Sequence, residues 1–224
     1  MIKYLLPILA VLIGGLSIFI WKPKGISSIK LLLAFSGAFL LSITVLEMLP
    51  NVYELKGRTI SFWVLGGMIF QLLLEHISKG AEHGHIHVGH KFGMPWAIWI
   101  SLCLHSFIEG IPMENHEHMA IAVFFHKLPI AMLIGFFLLQ TKRPKIEIFF
   151  LFFIFGISTP LGSYLSSTHP IFSEIYIEFS ALVAGMFMHV STTILYESAE
   201  AHRFNLLKTI VILIGILMAT VTIL

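Results

Sequence analysis

Eight apolar runs follow one another along this chain, at about 4–21, 27–49, 59–78, 94–112, 118–140, 146–166, 172–198 and 204–224. Each is long enough to cross a hydrocarbon core of roughly 30 Å as a helix. Inside lipid every backbone polar group has to be satisfied within the protein, and a helix does this within a single segment. The pattern therefore predicts an all-α polytopic membrane protein with eight transmembrane helices. Hydrophobic residues make up 57% of the 224 and charged residues 12%, so the connections are too short to hold a soluble domain. A single transmembrane domain over residues 1–224 is expected.

The first run, from Met1-Ile2-Lys3 to Ile20, resembles a signal peptide. It lacks an Ala-x-Ala-like cleavage site and continues into Trp21-Lys22-Pro23-Lys24, which suits a retained first helix with an interfacial Trp. With the N-terminus outside, Lys22, Lys24, Lys30, Lys79, Lys91, Lys142, Arg143, Lys145, Arg203 and Lys208 flank cytoplasmic connections, whereas Lys3, Lys56 and Arg58 lie outside. Ten against three places both termini outside. The net charge of +2 is thus a topology signal and gives no reason to expect a nucleic-acid partner; the lipid bilayer is the expected one. A lone Cys103 excludes an intramolecular disulfide and a thiolate-rich metal site.

The costliest residues in this setting are His105 and Glu109 in the fourth run. Spaced i and i+4, they share a helix face roughly 6 Å apart along the axis. In lipid both need a partner, a cavity or an ion. His126 in the fifth run lies at similar depth, about 12 Å inside the outer face against about 10 Å for His105. Lys127 beside it is too deep to reach water comfortably, so it either pairs with a glutamate or sets a fixed positive charge beside a metal. Pro112 and Pro129 each remove a helical hydrogen bond near these positions, and Ser158-Thr159-Pro160 in the sixth run reads as a further helix break.

Other polar residues flank this centre. The outer connection carries Glu114, His116, Glu117 and His118 without a basic residue, a mouth whose sign concentrates cations. The connection at about 79–92 interleaves His83, His85, His87 and His90 with glycine, which favours labile metal capture by a cytoplasmic loop over a merely solvated one. Glu47, near the outer end of the second run, is either an interfacial carboxylate or a pathway ligand, and Pro50 is expected to end that run. The seventh run holds Ala184-Gly185, His189, hydroxyls and Glu197, an outline like that of the second; this fits helices 6–8 repeating helices 1–3 in inverted orientation.

Taken together, Ser36-Gly37-Ala38-Phe39 through Glu47-Met48-Leu49-Pro50, the histidine-rich loop, His105-Ser106-Phe107-Ile108-Glu109-Gly110, His126-Lys127-Leu128-Pro129 and Ala184-Gly185-Met186-Phe187 resemble the ZIP (Zrt/Irt-like) metal-ion transporter family over nearly the whole chain. The resemblance implies an inverted 3+2+3 arrangement of eight helices, both termini outside, and movement of zinc, iron or manganese toward the cytoplasm across a cell (plasma or inner) membrane. A homodimer is compatible with it. The family's fourth-helix pattern His-Asn-x-x-Glu-Gly makes His105 and Glu109 metal ligands, and the fifth-helix pattern His-Glu-x-Pro-His/Gln-Glu adds His126. Ser106, Lys127, Ile130 and Ala131 depart from those patterns, and Thr159 stands where some members offer a bridging carboxylate. The departures imply one transported ion, with Lys127 in place of a second metal, Ser106 and Thr159 beside it, and His189 as a further donor. Zn²⁺ would be the substrate, with Fe²⁺ or Mn²⁺ accepted by the same nitrogen and oxygen ligands. The rival readings are a polytopic zinc hydrolase, which two histidines and a glutamate would also serve, and a metal sensor that does not transport. The absence of His-Glu-x-x-His speaks against an enzyme.

Overall fold

A computed structural model of the chain describes residues 2–21, 27–78, 96–114, 116, 118–139, 141, 143–197 and 206–224. The histidine-rich loop at about 79–92 and Glu117 lie outside the described residues. Among those described the regular structure is entirely helical: α1 (Ile2–Trp21), α2 (Ser27–Ile43), α3 (Leu49–Lys56), α4 (Ser61–Ser78), α5 (Trp96–Gly110), α6 (Met119–Leu139), α7 (Lys145–Thr168), a single short turn α8 (Pro170–Glu174), α9 (Tyr176–Glu197) and α10 (Leu206–Ile223). A π-helical turn, Thr44–Met48, joins α2 to α3 in one rod, so the described helices form eight rods. Six stretches are long and apolar enough to span a membrane; the 50-residue Ile29–Ser78 holds two rods, and Ile2–Ile18 is a shorter apolar helix.

The rods follow the apolar runs, with three departures at prolines. Pro50 does not end the second rod, which runs on to Lys56 and stops at Gly57, whose φ of 61° is readily adopted by glycine. A proline lacks the N–H of a regular helix and crowds the carbonyl four residues back. The wider π turn immediately before Pro50 provides the slack, so the helix passes through and turns Glu47 into an irregular segment. Likewise α6 is continuous through Pro129 and α7 through Pro160, where breaks were expected. The seventh run starts later than its apolar limit: Ile175 separates α8 from α9.

Burial orders the rods. In α6, 72% of the membrane-length window is buried, against 11% in α10, so α6 is a central post and α10 presents most of its surface outward. Around α6 pack α1 and α2; α1 also packs on α7, α2 on α9 and α10, α4 on α5 and α9, and α5 on α7. At four of these seams a glycine lies against a facing backbone carbonyl, and at two of them both helices contribute one. A Cβ on Gly110 would stand 2.1 Å from the Thr159 carbonyl, and one on Gly162 2.0 Å from that of Phe107, so α5 and α7 touch where neither has a side chain. Gly67 and Gly185 close α4 on α9 in the same way, since a Cβ on either would stand 1.9 Å from a facing carbonyl.

Candidate metal site

The α5–α7 seam brings Thr159 against the face of α5 that carries His105 and Glu109, and α6 supplies His126 and Lys127 from the other side. His105, Glu109 and His126 are all buried, and one possible ligand atom of each lies within 4.8 Å of the others. The His105 and His126 rings lie 6.0 Å apart between centroids, tilted by 58°. Ligands 2.0–2.1 Å from a tetrahedral zinc stand about 3.3–3.4 Å from one another. His105 Nε2 and Glu109 Oε2 are 3.5 Å apart.

The two oxygens of Glu109 have different neighbours. Oε1 is held by the protein: Lys127 Nζ stands 3.1 Å away, and the Thr159 hydroxyl 2.7 Å away. Thr159 Oγ1 is also 2.8 Å from the Ser106 carbonyl, so one hydroxyl proton is shared between two acceptors. Lys127 donates a 2.7 Å hydrogen bond to Ser106 Oγ and rests 4.2 Å from the centre of the Phe155 ring. Oε2 accepts no hydrogen bond among the described residues and points to His105. One oxygen thus answers a built-in cation, and the other faces the imidazoles.

His105 is oriented from behind. Its Nδ1 lies 2.8 Å from Oε1 of Gln71, a buried amide on α4. With the amide oxygen accepting, the ring proton sits on Nδ1, and the Nε2 lone pair faces Glu109, the tautomer a metal needs. Gln71 was not among the sequence-predicted site residues. Its signal was an amide in an apolar run, one turn before Glu75, but its partner lies 34 residues away.

The remaining predicted residues are distributed differently. His189 does not complete this cluster as expected; its Nε2 is 2.5 Å from Glu75 Oε2, because α9 lies against α4 one turn beyond Gln71. Glu114, expected as an open acid in the mouth, pairs with Lys3 at 2.6 Å and receives the Tyr4 hydroxyl at 3.3 Å, since α1 supplies the base its own loop lacks. His116 and His118 both turn to Glu47 on the π turn. Glu197 is the last residue of α9. His83, His85, His87, His90 and Glu117 fall outside the described residues.

Comparison with known proteins bears on the same helices. A sequence model described as ZIP zinc transporter matches residues 82–222, which include every residue of the α5–α6 cluster. Protein zntD of Dictyostelium discoideum is 26% identical over 169 aligned positions, which cover 61% of this chain and 24% of that protein. The chain therefore spans about a quarter of the length of this curated relative.

Proposed function

The chain belongs to the ZIP zinc transporter family, and we propose that it carries a single divalent metal ion per cycle through the bundle toward the cytoplasm, held by His105, Glu109 and His126. The observation that carries this reading is the buried approach of those three ligand groups beside a lysine in a membrane-spanning bundle. Two imidazole nitrogens, one carboxylate oxygen and a water make a shell that binds zinc, iron or manganese and stays incomplete enough to release it.

Lys127 limits the site to one ion. Its ammonium sits against Glu109 Oε1 and donates to Ser106, where a second cation would otherwise find its oxygen. Like-charge repulsion at this separation in a dry interior disfavours adding a second metal. The inward direction is what the family resemblance implies, and the basic-residue asymmetry supports both termini outside. An inverted 3+2+3 arrangement would let one helix bundle rock against the other. The loop histidines His83, His85, His87 and His90 would receive the ion on the cytoplasmic side, within one transmembrane domain.

Metal uptake into proteoliposomes, assayed in turn with zinc, iron and manganese, tests the reading. Wild-type protein is expected to carry at least one of the three, and His105→Ala/Glu109→Ala none. Flux that survives in the double variant would sink the assignment.

A further inference from the structure

Outside the central cluster, the described residues hold a second grouping of ligand-type side chains around Glu47. The π turn Thr44–Met48 presents its carboxylate to the segment between α5 and α6. His118 Nδ1 reaches Oε2 at 3.1 Å, and His116 Nδ1 stands 3.7 Å from Oε1. No lysine or arginine among the described residues pairs with Glu47, whereas Glu114 nearby is claimed by Lys3. Glu47 is therefore a carboxylate whose neighbours are imidazoles.

His116 is the unusual member. Its side chain is 2% exposed, its ring stacks on Tyr176 at 6.2 Å and 30°, and the Tyr176 hydroxyl is tied to the Pro112 carbonyl at 3.3 Å. The ring is held in place. Yet Nε2 is buried with no hydrogen-bond partner among the described residues, and 3.7 Å from Nδ1 to Oε1 is too long for a hydrogen bond. An ion seated between Nδ1 and Oε1 would use both of those atoms. Donors on one tetrahedral zinc stand about 3.3–3.4 Å apart, close to the 3.7 Å between His116 Nδ1 and Glu47 Oε1.

We propose that Glu47, His116 and His118 form a second divalent-cation site at the outer mouth of the bundle, distinct from the His105–Glu109–His126 cluster. The ion seats between Glu47 and the fixed, buried His116. His118, 29% exposed and lying against the other carboxylate oxygen, swings in to close the shell from the water side. A site with one exposed and one buried ligand faces both the outside and the interior, which suits loading. That use rests on the transport reading; the binding itself does not.

Zinc binding to the purified full chain tests this, measured by calorimetry and by cobalt(II) absorbance. All variants carry alanine at His83, His85, His87 and His90 so that the loop does not contribute. The parent is expected to bind two ions and His105→Ala/Glu109→Ala one; adding Glu47→Gln/His116→Ala should leave none, with the size-exclusion profile unchanged. Glu47→Gln/His116→Ala alone should keep one ion and raise KM for uptake without changing kcat. A His105→Ala/Glu109→Ala protein that binds nothing, or whose bound ion survives loss of Glu47 and His116, would overturn the outer site. Uptake by that variant would instead count against the central one.

Discussion

Replacing Lys127 with methionine removes the ammonium from beside Glu109 while keeping the volume and flexibility of the side chain. Both partners are at most 1% exposed and stand 3.1 Å apart, so no water is available to take over the lost interaction. Deleting one member of a buried pair leaves an uncompensated charge and typically costs about 3–5 kcal/mol. Here Glu109 keeps only the shared hydroxyl of Thr159 and the His105 ring. A domain has about 5–15 kcal/mol in all, so the loss should show clearly in detergent-induced unfolding followed by tryptophan fluorescence. Glu109→Gln on the same background discharges the orphan, and the double variant should recover most of the deficit, giving a coupling energy at the upper end of about 0.5–3 kcal/mol. Zinc at a hundredfold excess over its dissociation constant should return about 2.7 kcal/mol to Lys127→Met, because a divalent ion then serves as the counter-charge of Glu109. If Lys127→Met is destabilised by less than about 1 kcal/mol, or if the second substitution brings no recovery, Lys127 is not the internal counter-ion of Glu109.

Further outcomes follow from the same geometry. Gln71→Leu should weaken metal binding by about 10–100-fold through loss of the His105 tautomer lock, while Gln71→Glu, which keeps an acceptor, should bind more tightly than Gln71→Leu; a titration of both against zinc decides it. Gly162→Ala puts a Cβ 2.0 Å from the Phe107 carbonyl and should separate α5 from α7, with the fall in thermal stability and in uptake appearing together. Lys56→Ala breaks a 3.0 Å pair with Glu178 at a 43% exposed lysine and should change unfolding stability by less than about 1 kcal/mol.

What could be read in the residues divides along one line. The spans and the shared face of His105 and Glu109 follow from local rules of length and spacing, and the bundle places them accordingly. The pairing of Lys127 with Glu109 was one of two alternatives open to a buried ammonium, and the bundle realises it. Partners that meet only through helix packing were not legible. Gln71 meets His105, Glu75 meets His189, and Lys3 meets Glu114 across 34, 114 and 111 positions, and no periodicity in one helix names a neighbour in another. Pro50 misled because a proline removes one hydrogen bond by rule, while a π turn before it repairs the geometry without leaving a mark in composition.

The glycine seams have a mechanical consequence. Where backbone lies on backbone, as between α4 and α9 and between α5 and α7, there is no layer of side chains to re-pack, and each pair behaves as if welded. The α4–α5 boundary between the two pairs is fastened differently, by the Ser101 hydroxyl on the Leu74 carbonyl and by Gln71 on His105. Hydrogen bonds of this kind can be exchanged at little net cost. Sliding would therefore concentrate at that boundary, and there it would pull the amide away from the imidazole. The grip on a metal ion and the position of one welded pair against the other would then be the same variable, read out at a single hydrogen bond.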